Sequence, residues 1–406
     1  MEIRAPQQFS EDRPAVHYSH KQFHTPIEDH PQAKRLPKAT ASPSVQAAPQ
    51  DFRIFAAREN APSTLEDFLN SDTPLLSLHV TSFTDATLVG LLWPHTLMDA
   101  MGQMALLHGW SLVLAGRMSE IPALLGARED ALRAAVEDSL EEQREEFKLG
   151  AMRLTNAPKF WFTWEPWWQQ PVVTRTICLP ERCVVKLRDH ALADLTGGED
   201  TDVFVSEGDA LVAWLTRAIF SSLPETRPVT VLNAVNVRSR LASLVEAPGV
   251  YVQNMAITGF TFLTVKSLSA SLGHIALENR RCLNEQLRES QVLANLRERV
   301  QLWKSGSDPS FICSDPNAIP VFSSNWLKAD FTKITNFSSA IVSGNGTGKP
   351  RSNPPGSIAF HHIEFIGPDA MDAFTIMGKD HGDNYWITAR LHAPAWAKLE
   401  ETLIRM

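Results

Sequence analysis

Apolar and polar positions first fall into a sustained pattern near Leu75. Upstream of it, residues 12–50 are rich in Pro, His, Lys and Gln and show no period, which predicts extended or loop structure. The run LLSLHVTSF (75–83), the turn residues Thr84, Asp85 and Ala86, and TLVGLLW (87–93) predict a hairpin of two partly buried strands. Apolar residues at helical spacing follow at once in PHTLMDAMGQMALLHGWSLVLAG (94–116), with Gly116 to close the helix. The segment REDALRAAVEDSLEEQREEFK (128–148) predicts an amphipathic, solvated surface helix laced by its own charge pairs.

Beyond it, FWFTWEPWWQQP (160–171) concentrates Trp161, Trp164, Trp167 and Trp168, a pattern that packs a core or an interface more often than it lines a pocket. The Gly197-Gly198-Glu199-Asp200 stretch within 195–202 predicts a linker. A helix is expected over 207–223, a strand over 229–237, and a mixed-charge helix or helix pair over 271–304. SIAFHHIEFI (357–366) and YWITARL (385–391) predict short strands between Gly/Pro turns. Helix and strand mix throughout without an internal repeat. The expected class is α/β (α+β), in two similar-sized halves over 1–195 and 196–406.

Composition narrows the chemistry without naming it. A length of 406 residues fits about two to three domains, and 44% apolar with 21% charged residues excludes wholesale disorder. The net charge of −8 argues against a sequence-independent nucleic-acid binder, and any anionic cofactor needs a local basic pocket. Cysteines 178, 183, 282 and 313 form no CxxC pair, against a disulfide scaffold or a structural zinc. The opening MEIRAPQQFSEDRP lacks the apolar core of a signal peptide, and no apolar stretch approaches a membrane span. The expectation is a cytoplasmic chain with no membrane insertion, in which the sequons at Asn336 and Asn345 are chance matches.

Several familiar chemistries drop out. There is no G-x-S-x-G elbow and no H-E-x-x-H. On a strand, His361 and His362 would face opposite ways, which works against shared metal ligation. SGNGTGKPRSNPPG (343–356) resembles a phosphate loop but reads GKP rather than GK[ST], leaving Lys349 and Arg351 as loop cations able to meet a phosphate. KDHGDN (379–384) is better explained as a tight turn between strands than as a metal site; no metal is expected.

One constellation stands out. WPHTLMDAMG (93–102) places His95 and Asp99 at i and i+4 where a strand hands over to a helix. That junction fixes the backbone while the imidazole projects into a cleft, and a histidine can take a proton from a hydroxyl or amine as it attacks. His-x-x-x-Asp alone is common by chance, and most single histidines are structural. Two further segments change the weighing: NAVNVRSRL (233–241) followed by YVQNM (251–255), and SSNWLKADFTKITNFSSA (323–340).

In order and spacing the three segments resemble those of the BAHD acyltransferases, and more closely the fungal secondary-metabolite branch. The resemblance spans residues 75–406 and implies two chloramphenicol acetyltransferase-like domains, each a mixed sheet flanked by helices, with a channel between them. It implies acyl-CoA as co-substrate, a small-molecule acceptor, and a monomer. His95 matches the general base. Asp99 matches a structural aspartate, with Arg238 its partner. Ser324 matches a hydroxyl that donates to the oxyanion, and Trp326 lines the channel. Asn336 with Phe337 and Ser338 replaces the family's Asp-Phe-Gly, so its supporting aspartate is neutral here. Lys328, Lys333, Lys349 and Arg351 lie in loops suited to the phosphates of CoA. The family also begins with a strand and a long helix ahead of the match, which implies a chain shortened at its front. A relative repurposed for CoA-independent condensation, cyclisation or isomerisation, or an inactive one, stays open at this point.

Overall fold

The computed structural model describes residues 8–139, 145–154, 171–196, 203–342, 353–365 and 371–406. The tryptophan segment before Pro171, most of the 195–202 linker, and Lys349 and Arg351 lie outside them. Twelve strands occur among the described residues. They are β1 (His17–Gln22), β2 (Ser44–Gln46), β3 (Ser77–Ser82), β4 (Thr87–Leu92), β5 (Ala123–Leu125), β6 (Val172–Leu179), β7 (Val229–Asn236), β8 (Gly249–Tyr251), β9 (Ala256–Leu263), β10 (Ile319–Asn325), β11 (Ala373–Lys379) and β12 (Tyr385–His392). The longer helices are α1 (Ala100–Leu114), α2 (Glu181–Ala193), α3 (Glu207–Phe220), α4 (Leu272–Gln286), α5 (Glu289–Lys304) and α6 (Ala393–Leu403).

The hairpin forms as expected: β3 pairs antiparallel with β4, Ser77 opposite Leu92 and Ser82 opposite Thr87. Alternation at β3 buries Ser77, His79 and Thr81 and leaves the residues between them half-buried. The 12–50 region departs from the loop expectation twice. β1 adds to β3 as a parallel edge, and β2 edges β6 in the main sheet. Neither strand has an apolar alternation of its own to announce it, because each borrows its hydrogen bonds from a partner distant in sequence.

The main sheet is mixed and seven-stranded, in the order β2-β6-β12-β11-β10-β7-β9. It draws β2 and β6 from before residue 196 and five strands from after it. Period-two alternation gives it two apolar faces. Ile177, Val231, Val321, Ile376 and Ile387 pack under α2, α3, α4 and α6, with Leu211, Leu215, Ile275 and Trp396 in the same cluster. On the other face Cys178, Met377 and Trp386 pack with Trp326 and with Leu107, Met101 and Met104 of α1. Within β10, Val321 belongs to the first face, so Ser324, three positions on, belongs to the second, toward α1. α3 is buried almost all round and starts on a capping box, in which Ser206 and Asp209 satisfy each other's backbone N–H groups.

Three boundaries differ from expectation. The helix predicted from Pro94 starts at Ala100, because residues 95–97 form a turn and Asp99 takes the N-cap; it does end at Gly116, whose φ of 72° only glycine adopts cheaply. Of the helix predicted over 128–148, the described residues contain Ala131–Glu137, and 145–148 are not helical. Downstream, Gln291 of α5 holds the backbone of Glu146 and Lys148 out of helical geometry, through its Nε2 to the Glu146 carbonyl and its Oε1 from the Lys148 N–H. The strand expected over 357–366 is an unladdered segment in its described part, 357–365, and runs across the Trp326 cluster. The 271–304 region is the expected helix pair, and 379–384 is the turn of the β11–β12 hairpin, where Asp380 accepts from the backbone of Gly382 and Asn384.

Candidate active site

The site grows from the turn between β4 and α1. Leu97 N–H donates to the Pro94 carbonyl at 2.8 Å, closing a tight turn that lifts His95 to the surface. Met98 is buried beneath it, and the Trp93 indole donates to the Met98 carbonyl at 3.1 Å. The main chain of His95 is pinned from across the fold: Asn254 Nδ2 donates to its carbonyl at 2.6 Å. Its imidazole is exposed, rests against the Phe365 ring at 5.9 Å between centroids, and has no hydrogen-bond partner among the described residues. The site thus combines a fixed backbone with a free ring.

Asp99 does something different. Its carboxylate caps α1 by accepting from Gly102 N–H at 2.9 Å, and it also accepts from Met255 N–H at 2.9 Å. Arg238 closes on it in a bidentate fork, Nη1 to Oδ2 and Nη2 to Oδ1, both at 2.9 Å. The remaining guanidinium hydrogens go to the Tyr251 and Gln253 carbonyls and to Asn236 Oδ1, so all five donors are used. With side chains only 14% and 12% exposed, Arg238 and Asp99 form a buried, satisfied staple between the start of α1 and the end of β7. Packing there leaves no slack: a Cβ on Gly102 would lie 1.9 Å from the Val252 carbonyl oxygen. Asp99 therefore holds the turn that carries His95 and makes no bond to the imidazole.

Ser324 is buried near the end of β10, between β7 and β11. Its Oγ accepts from the Trp326 indole at 2.8 Å, which leaves the hydroxyl proton to donate elsewhere. Trp326 is buried in the aromatic cluster with Phe331 and Trp386. Asn336 is exposed and caps its own turn, accepting from Ser338 N–H at 2.9 Å, so a neutral side chain suffices there. Lys328 is exposed with no acidic partner among the described residues; Lys333 is exposed and sits 3.8 Å from Asp330. Among the described residues no group of three or more His, Cys, Asp or Glu could hold a metal, and no helix is long and apolar enough to cross a membrane.

The structure thus joins Asp99 to Arg238 and Ser324 to Trp326, and adds two residues not singled out before, Asn254 and Phe365. Asn254 had a signal, its polar side chain next to last in YVQNM after the arginine strand. Phe365 had none. The histidine pair behaves unlike strand residues: both rings are driven inward, His361 against Phe331 and His362 against Phe52, and burial pushes both down to about 4. The four cysteines are free, and burial raises Cys282 to about 11 and Cys313 to about 12, which makes them poor nucleophiles.

Comparison with known proteins shows which family this fold belongs to. The family model described as "Transferase family" matches residues 56–327. The O-acetyltransferase PaAT-2 of Phomopsis amygdali is 35% identical over 433 residues, covering 100% of this chain and 86% of the relative. The acetyltransferase pyiB of Pyricularia grisea is 33% identical, over 99% of this chain and 81% of its own length. In fold, the chain resembles F. sporotrichioides TRI101, solved with coenzyme A and T-2, at a TM-score of 0.59 and 16% identity over 96% of this chain and 80% of that one. Vinorine synthase gives a TM-score of 0.52 at 13% identity, over 96% and 76%. The chain belongs to the Transferase family of BAHD-type acyltransferases and is itself an acyltransferase with fungal acetyltransferase relatives.

Proposed function

We propose that this acyltransferase moves an acyl group from acyl-CoA to a hydroxyl or amine of a small specialised metabolite, with His95 as general base. The observation that carries this is the contrast at the β4–α1 turn, where the His95 main chain is clamped by Asn254 and the Asp99–Arg238 staple while its ring is uncommitted. A base held that way loses no existing bond when an acceptor arrives, and the fixed backbone limits where the imidazole can reach.

In this reading the acceptor's O–H or N–H proton passes to the free ring nitrogen of His95 as its oxygen or nitrogen attacks the thioester carbonyl. The negative charge that develops on the carbonyl oxygen meets the Ser324 hydroxyl, already aimed by the Trp326 indole at its lone pair. The C–S bond then breaks, and the departing thiolate takes the proton back from His95. Asp99 and Arg238 serve as positioning residues. Residues 1–195 supply the base, and residues 196–406 supply Arg238 and Ser324. Acyl-CoA as donor draws support from the TRI101 structure solved with coenzyme A and from Lys328, an exposed cation with no acidic partner among the described residues, in the turn that follows β10 and Ser324. Lys333, Lys349 and Arg351 are further candidates for the phosphates.

The test is release of free CoA thiol from an acyl-CoA donor plus acceptor. His95→Ala should abolish it without lowering the melting temperature, since the exposed ring makes no hydrogen bond in the fold. Turnover at the wild-type rate in that variant would sink the assignment.

A further inference from the structure

The segment 358–365 has no strand partner, yet it is tied down along its length. Ile358, Phe360 and Ile363 pack into the Trp326 cluster, with Phe360 edge-on to Trp386 at 4.7 Å. The His361 ring lies 4.8 Å from Phe331, and the His362 ring stacks on Phe52 at 5.8 Å. Glu364 is ion-paired with Arg53, whose Nε donates to Oε2 at 3.1 Å. These tethers deliver one side chain, Phe365, onto the imidazole of His95, the rings 5.9 Å apart and inclined by 30°. That spacing lies within the usual range for aromatic pairs, about 4.5–7 Å.

A single exposed phenylalanine is ordinary on a protein surface. Phe365 differs because one part of its ring rests on the candidate base while 45% of the residue stays open. It is held against His95 by half-buried, tethered neighbours rather than left to roam. A polar acceptor gains nothing from such a surface. A rigid apolar ring or cage that covers it removes apolar area from water in the step that brings its hydroxyl to the imidazole.

We propose that Phe365 is a specificity-determining residue: the apolar wall of the acceptor side, selecting acceptors whose hydroxyl or amine is carried on a rigid apolar ring or cage. The proposal rests on the acyl-transfer reading of the His95 site. It concerns who occupies the space beside the imidazole, not which proton moves.

The test reads that space directly and needs no turnover. Diethyl pyrocarbonate modifies accessible imidazoles, and peptide mass spectrometry follows His95 separately from the other histidines. In the wild type, adamantanol should slow modification of His95, whereas glycerol at the same concentration should not. In Phe365→Ala the concentration of adamantanol needed for half-protection should rise about tenfold, the size expected for losing one aromatic contact surface. Phe365→Trp, which keeps a flat apolar face, should stay protected; circular dichroism and melting curves establish that both variants are folded. Equal protection in Phe365→Ala and wild type, protection by glycerol as strong as by adamantanol, or no protection by either would overturn the proposal. Failure of the base assignment appears separately, as thiol release that survives His95→Ala.

Discussion

Replacing Asp99 with alanine removes an acceptor of four hydrogen bonds, two from Arg238 and one each from Gly102 and Met255. What remains is a guanidinium in a site where its side chain is only 14% exposed, together with two backbone N–H groups that have lost their partner. Breaking one side of a buried pair costs about 3–5 kcal/mol, and a lost N-cap contributes about 1 kcal/mol of comparable destabilisation. These overlap rather than add, so the expected loss is about 4 kcal/mol. In a chain of this size that lowers the melting temperature by about 5 °C. Chemical denaturation and thermal melting measure it, and thiol release measures activity in the fraction still folded. Activity should collapse as well, because the turn carrying His95 loses its anchor. The pair logic makes a sharper demand. Arg238→Met alone should also destabilise, but the double variant Asp99→Ala with Arg238→Met should cost at least about 2 kcal/mol less than the sum of the two, since it strands no buried charge. Additive losses, or an Asp99→Ala protein with unchanged melting and turnover, would refute the staple.

Three further outcomes follow from other parts of the structure. Ser324→Ala should lower kcat about a hundredfold or more with little change in KM, the loss typical of removing an oxyanion donor; steady-state kinetics checks this, and a pure KM effect would contradict it. Gly102→Ala should destabilise by at least about 2 kcal/mol, measured by denaturation, because its Cβ would collide with the Val252 backbone 1.9 Å away. His361 and His362, both pushed down from 6.5 to about 4 by burial, hold fewer protons folded than unfolded between those values. Their contribution to stability is therefore fully present above about pH 6.5 and is lost as the pH falls toward 4; denaturation midpoints across that window should drop in the wild type and drop less in His361→Phe or His362→Phe.

The chain's own pattern determined much of this. The 75–93 hairpin, the 271–304 helix pair, the β7 strand and the glycine stop of α1 are local matters of period, caps and turn residues, and each appears where the pattern put it, within a few residues, whereas the start of α1 moves to Ala100. His95 and Asp99 could be singled out as candidates because they share one short segment, and Ser324 only because three segments together resemble a known family. Where local pattern conflicted with distant contacts, the contacts won. Residues 145–148 repeat a helical pattern and are held straight by Gln291; residues 357–365 alternate like a strand and find no ladder to join. β1 and β2 are strands only because β3 and β6 stand beside them.

The family resemblance implied that Asp99 and Arg238 are partners, but their geometry belonged to the tertiary structure. Only there does Arg238 spend all five donors, which removes Asp99 from any bond to the base. Asn254 beneath the His95 carbonyl and Phe365 beside the His95 ring lie 159 and 270 positions from it in the chain. Periodicity does not reach across such separations, because these contacts are set by how helices and sheets pack. The candidate base was picked out by three segments read together, and the shape of the space around it was decided by packing.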